Sequence, residues 1–231
     1  MAEWLKTRAA RPIEVDTDGI YFVPPPEVET PAQAEALIGE LSRTLPTGIT
    51  LELAGRYRMM FSYKVKNYAL LTDDDRVIIK GSGLKSRGLE LFQRRFMREL
   101  IGLVLRGRGP MHVEIAGLLA RYQDDLTHHR WDRKMFVKTE TLSESPAAYL
   151  EKVRAKKRNA TAAYELALRS SRPYQAGDQI AYYVTGADTN VKVFEACKLA
   201  SEWNPEAPDE NVEYYQAKLL DLYARFAPFL S

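Results

Sequence analysis

The chain has 231 residues, 45% of them hydrophobic and 28% charged, with 33 Lys/Arg against 31 Asp/Glu. That length holds one large domain or two modest ones, and the balance excludes a disordered or collagen-like chain. No apolar run reaches the ~18 residues of a membrane-spanning helix, the charged N-terminus is not a secretory signal, and one cysteine, Cys197, excludes an internal disulfide and a cysteine metal cage, so a reducing, cytoplasmic setting is expected.

In chain order, Pro12–Val15 and Ile20–Val23 are short β-branched and aromatic runs joined by Asp16-Thr17-Asp18-Gly19, which predicts two strands and a tight turn. Pro24-Pro25-Pro26 ends the second strand. Thr30-Pro31 opens a helix as N-cap and first helical residue, with Ala34, Leu37, Ile38 and Leu41 on its buried face. Leu45-Pro46-Thr47-Gly48 stops it, and Ile49, Leu51 and Leu53 alternate with polar residues as a half-buried strand. Strands follow at Met59–Tyr63, Asn67–Leu71 and Val77–Lys80, the last two joined by Asp73-Asp74-Asp75.

Past Gly81 the pattern turns helical: Leu89–Leu105, then Met111–Leu126 after a glycine break. Met135–Thr139 is predicted as a strand, Ser145-Pro146 caps one long helix running toward Arg169, Ile180–Val184 is a strand, and Val191–Trp203 and Glu210–Tyr223 are helices. The predicted class is α+β, an antiparallel part over residues 1–85 followed by a mostly helical part over 86–231. Residues 56–108 hold 13 Lys/Arg against 5 Asp/Glu, whereas residues 1–55 hold 4 against 9. A basic stretch of this kind suits either a polyanion partner or a solvated helix face.

Asp16 and Asp18 stand at i and i+2, so on a strand they project to one side. Such a pair suits an oxygen-seeking divalent cation, as two-metal phosphoryl transfer requires. It equally suits a plain Asp/Gly turn whose side chains cap their own backbone.

The flanking residues add a resemblance that covers nearly the whole chain. Asp16-Thr17-Asp18-Gly19 resembles motif C of the family B DNA polymerases, with Gly19 in place of the usual Ser. Lys66-Asn67-Tyr68 resembles the palm Lys-x-Tyr motif, and Ile79-Lys80-Gly81 with Arg94-Arg95 resembles the signatures that lead into the thumb. The family usually has Asp after the Arg pair, where this chain has Phe96. Val137–Leu142, Ala176–Tyr182 and Glu213-Tyr214-Tyr215 resemble thumb segments in the same order.

The resemblance implies a partial palm over 1–85 and a thumb over 86–231. It implies that Asp18 is the principal Mg²⁺ ligand and Asp16 a supporting carboxylate. Lys66 would reach the minor groove of primer–template DNA and Tyr68 would pack against the primer strand. Lys80, Lys85, Arg87, Arg94, Arg95 and Arg98 would follow the phosphates, some of the arginines pairing with Glu90 and Glu99 instead. Glu52 reads as an exposed strand residue rather than a further acidic neighbour. Tyr122, Tyr149, Tyr164, Tyr182, Tyr183 and Cys197 read as core, and His128-His129-Arg130 as a surface helix end.

The family's second catalytic aspartate motif, its fingers motif and its exonuclease carboxylates have no counterpart in the sequence. The chain is therefore expected to be a shortened piece or a naturally split product, inactive alone. It would bind primer–template DNA and depend on a separate N-terminal portion (exonuclease, fingers and the rest of the palm) to bind a deoxynucleoside triphosphate. Two alternatives stay open. One is a non-catalytic DNA-binding module of polymerase descent. The other is a Mg²⁺-dependent haloacid-dehalogenase-like phosphohydrolase, which would need a parallel sheet.

Overall fold

The hairpin predicted around the acidic turn is present: β1 (Arg11–Val15) pairs antiparallel with β2 (Ile20–Val23), Val15 opposite Ile20. The computed structural model describes residues 1–16, 19–84, 88–107 and 111–230, so Thr17 and Asp18 at its tip lie outside the described residues. A short helix, α1 (Ala2–Thr7), precedes the hairpin and buries Leu5 with Ala10 and Leu41.

Helix α2 (Pro31–Arg43) starts where its cap chemistry dictates. The Thr30 hydroxyl accepts from the Gln33 amide, the Gln33 side chain returns the bond to the Thr30 amide, and Pro31 fills the first turn. Ala34, Leu37, Ile38 and Leu41 form its buried stripe. The strand expected over residues 49–53 is absent. The Leu51 amide donates to the Ser42 hydroxyl at 3.0 Å, and its side chain joins the Leu5 cluster. The segment is thus fastened to the end of α2 instead of to a strand partner.

Strands β3 (Met59–Lys64), β4 (Asn67–Leu71) and β5 (Val77–Lys80) form an antiparallel meander with β4 in the middle. Tyr68, Ala69, Leu70 and Leu71 are all buried, so β4 is covered on both faces. At the β4–β5 turn, Asp75 takes Arg58 at 2.6 Å and Arg106 at 2.7 Å.

The chain divides into two units, Met1–Lys85 with Val104–Gly107, and Ser86–Leu103 with Arg108–Ser231. The second contains most of α3 (Leu91–Arg106), then α4 (His112–Thr127), β6 (Lys138–Thr141), α5 (Pro146–Arg154), α6 (Ala162–Arg169), β7 (Gln179–Val184), β8 (Cys197–Leu199) and α7 (Val212–Phe226). Its sheet is antiparallel in the order β6-β7-β8. Its core is aromatic: Phe92, Phe96, Phe136, Tyr149, Tyr183 and Tyr215 are fully buried, and Phe92 stacks on Trp131 at 5.2 Å.

Three sequence expectations for this unit are corrected. The single helix toward Arg169 is two, α5 and α6. Lys156 takes a left-handed φ of +55° and Thr161 an extended one, which breaks the helix. The gain is a stack of Tyr149 on Tyr164 at 4.3 Å, with the Tyr149 hydroxyl accepting from the Thr161 amide. The helix expected over 191–203 is instead the edge strand β8 and a 3₁₀ turn, because β7 requires a partner and Val184 pairs with Cys197. The strand expected from Met135 begins at Lys138, after a 3₁₀ turn at Arg133–Met135 capped by Asp132. All strand pairs among the described residues are antiparallel, which removes the parallel-sheet phosphohydrolase reading.

Candidate functional site

The polar residues of the first unit converge where the β1–β2 hairpin meets the β3–β4 turn. Asp16 follows β1, and its amide donates to the Gly19 carbonyl at 2.8 Å. Its half-buried carboxylate forms an ion pair with the Lys66 ammonium at 2.8 Å. Two residues earlier on the same face, Glu14 is buried. One of its oxygens accepts from the Lys66 backbone amide at 2.8 Å and the other from the Ser62 hydroxyl at 3.1 Å. Lys66 is thus held at both ends, by Glu14 at its amide and by Asp16 at its ammonium. Its φ of +61° is a left-handed conformation that a non-glycine residue adopts only when its surroundings fix it.

A second clamp comes from β5. Gly81 has φ +93°, and a Cβ there would overlap the Lys66 carbonyl and Asn67. The Asn67 side chain accepts from the Gly83 amide at 2.7 Å and donates to the Val65 carbonyl at 2.9 Å. Tyr68 lies directly opposite Lys80 in the β4–β5 register. Tyr68 is buried, and its hydroxyl shares a hydrogen bond with that of Tyr21 at 3.2 Å, with ring centroids 5.0 Å apart. Burial, then the bond to Tyr68, pushes the Tyr21 hydroxyl up to about 12. Lys80 is exposed at the end of β5.

The structure therefore brings Asp16, Lys66, Tyr68 and Lys80 together within one unit. Asp18, Lys85 and Arg87 lie outside the described residues. Arg94, Arg95 and Arg98 are exposed on α3 in the second unit. The acids expected to pair with them are engaged elsewhere: Glu90 by Lys218, and Glu99 by Arg121 and the Tyr122 hydroxyl. Glu52 is exposed, and Tyr122, Tyr149, Tyr164, Tyr182, Tyr183 and Cys197 are buried. Glu14 and Tyr21 are the site residues that sequence reasoning missed. Their signal is the alternation along the hairpin, which puts Glu14 on the face of Asp16.

The model of DNA polymerase family B matches residues 9–227. The chain belongs to DNA polymerase family B. Its fold is similar to that of the family B DNA polymerase from the hyperthermophilic archaeon Pyrobaculum calidifontis, with a TM-score of 0.74 over 97% of this chain at 19% identity. The chain spans 27% of the length of that polymerase. No curated protein matches it.

Two departures of this family B chain from the motif patterns have local explanations. A Cβ on Gly19 would meet nothing within 4 Å, so the usual Ser would fit and the change has no steric consequence. Phe96, where Asp is usual, is fully buried with its ring edge-on to Tyr122 at 5.3 Å, so it serves the core. Family B polymerases generally use Mg²⁺, a hard ion that takes oxygen ligands. Asp16 suits it as one carboxylate ligand, but among the described residues no three His, Cys, Asp or Glu side chains gather to hold a metal. The described residues fit one edge of a Mg²⁺ site and not a whole one.

Proposed function

We propose that the chain is the palm–thumb portion of a family B DNA polymerase, residues 1–85 palm and 86–231 thumb, and that it grips primer–template DNA. The observation that carries this reading is the convergence of the motif C hairpin, the Lys-x-Tyr turn and the Lys-Gly strand in one unit. Glu14 and Gly81 hold Lys66 from either side. In this reading Lys66 exchanges Asp16 for acceptors in the minor groove, as a mobile point-charge donor can. The buried Tyr68 stiffens the sheet beneath the primer strand. Lys80, Lys85, Arg87, Arg94 and Arg95 contact phosphates, which give affinity without reading sequence.

Asp16 and Asp18 supply one side of the Mg²⁺ site. The remaining ligands and the grip on a deoxynucleoside triphosphate come from a polymerase portion outside this sequence. Mg²⁺ bound there would lend the Lewis acidity of nucleotidyl transfer. This chain's own contribution is to hold the duplex in register and to set the Asp16 carboxylate at the end of the hairpin, free of Lys66 once the lysine turns to the DNA.

Binding of a labelled primer–template duplex, followed by fluorescence anisotropy, tests the reading. Binding at low salt is expected, weakened about tenfold by Lys66→Ala and unchanged by Asp18→Ala. A chain that fails to bind at 50 mM salt overturns it. A non-catalytic DNA-binding module has one observation in its favour, the engagement of Asp16 by Lys66. Mn²⁺-induced relaxation of the 14–20 amides separates the two. Specific broadening that Asp18→Ala removes supports the catalytic reading, and none supports the module.

A further inference from the structure

The turn between β3 and β4 departs from the local rules that the Thr30 cap and the neighbouring strands obey. Lys64 pairs with Asn67, so Val65 and Lys66 alone close the hairpin. Two-residue hairpin loops favour Gly, Asn and Asp, which reach left-handed φ values at little cost. Here a lysine takes the left-handed position, at φ +61°, and a β-branched apolar residue stands beside it. Val65 is 76% exposed, so it adds little to the core. The turn is nevertheless fixed. Glu14 holds the Lys66 amide at 2.8 Å, and the Asn67 side chain donates to the Val65 carbonyl at 2.9 Å. An apolar side chain is thus carried at a set place in water, on a turn whose residues suit neither the turn nor the solvent. Conflicts of this kind between local preference and structure collect at functional sites.

The neighbours select what covers Val65. It stands between two lysines, with the Lys64 ammonium over the Tyr63 ring at 5.1 Å and the Lys66 ammonium at Asp16. An apolar tip with a cation on either side matches the minor groove of a duplex, which is bordered by phosphates and accepts apolar side chains in other proteins. A DNA strand presents only C–H at the 2′ carbon of its sugars, whereas an RNA strand displays a 2′-hydroxyl in this groove. Val65 has neither donor nor acceptor, so covering that hydroxyl strips its water and returns no hydrogen bond. We propose that Val65 packs on a sugar in the minor groove beside Lys66 and makes the grip selective for deoxyribose over ribose. The proposal rests on the reading that Lys66 enters the minor groove, and adds to it which sugar the turn accepts.

The test is fluorescence anisotropy at 50 mM salt with three duplexes of one sequence: DNA primer on DNA template, RNA primer on DNA template, and DNA primer on RNA template. The full chain should bind at least one hybrid about fivefold or more weakly than the all-DNA duplex, and that hybrid identifies the strand Val65 touches. Val65→Thr keeps the shape and adds a hydroxyl that can pair with a 2′-hydroxyl. It should bring the two affinities within about twofold, with the urea midpoint unchanged because the site is exposed. Lys66→Ala should weaken every duplex and leave the ratio as it was, which separates the charge from the apolar contact. Equal wild-type affinity for all three duplexes overturns the proposal and leaves the duplex reading standing. A DNA preference that persists undiminished in Val65→Thr also overturns it, since the shape of the hybrid helix then sets the preference. Failure to bind any of the three overturns the duplex reading and this proposal with it.

Discussion

In the second unit, ring donors end on carboxylates: Tyr149 on Glu165 and Tyr182 on Glu140, with Trp203 ending on the buried Glu210. In the first unit the tyrosines Tyr21 and Tyr68 bond to each other, and the carboxylates Glu14 and Asp16 turn to a backbone amide and an ammonium at a turn. The same residue types thus do different work. In one unit a carboxylate completes an aromatic core. In the other it fixes a strained turn and holds a cation at the surface. For these particular acids the partner, a ring donor or a lysine on a turn, tells the two settings apart where burial does not, since Glu14 and Glu210 are both buried.

The most severe way to break this contrast is to restore the usual family residue at Phe96. Phe96→Asp puts an unpaired charge where a fully buried ring stood, and should cost about 4–5 kcal/mol or more. Urea unfolding followed by Trp131 fluorescence should show the second unit unfolded or nearly so; a loss under 1 kcal/mol would mean the site opens to water. Gly81→Ala comes next, since its φ of +93° and its contact with the Lys66 carbonyl leave no room for a methyl group. It should cost about 2–3 kcal/mol and reduce hydrogen-exchange protection in β4 while that in α7 is kept.

Glu14→Gln sharpens the contrast at the turn itself. Loss of a charged acceptor for the Lys66 amide should cost about 1–2 kcal/mol in the same urea assay, whereas exposed Glu52→Gln should cost less than about 0.5. The smallest effect is a titration. Burial and Tyr68 raise the Tyr21 hydroxyl from 10.0 to about 12, so the unfolded chain ionises first. The stability this group contributes is whole below pH 10 and is lost as the pH rises from 10 toward 12. Absorbance at 295 nm should show a late transition whose amplitude falls by one tyrosine in Tyr21→Phe, while that of Tyr214, also raised by burial, remains.

Much of this was legible in the sequence. The pairing of the runs on either side of residues 16–19, the Thr30 cap and the three strands from Met59 to Lys80 are set by local chemistry, and the structure has them. The motif residues Asp16, Lys66, Tyr68 and Lys80 were readable through their resemblance to the polymerase signatures. What escaped depends on distant partners. Alternation at 49–53 implied a strand, but the Leu51 amide goes to Ser42 on α2. Cys197–Leu199 had a helical pattern, and the edge of β7 made it a strand. Glu14 had no motif, and its role arises only because the turn at Lys66 packs 52 residues away in sequence. The pairs Glu90–Lys218 and Glu99–Arg121 were invisible for the same reason, since each joins separate helices or their approaches.

The central proposal is that Lys80 and the basic residues that follow it meet the phosphates of a duplex, and the salt dependence of primer–template binding tests it most directly. The logarithm of the association constant should fall linearly with the logarithm of salt concentration, and Lys80→Ala should lower the slope by about 1, the loss of one phosphate contact. Lys66→Ala should weaken binding with a smaller change in slope. A wild-type affinity indifferent to salt, or a Lys80→Ala slope equal to that of the wild type, would contradict the account.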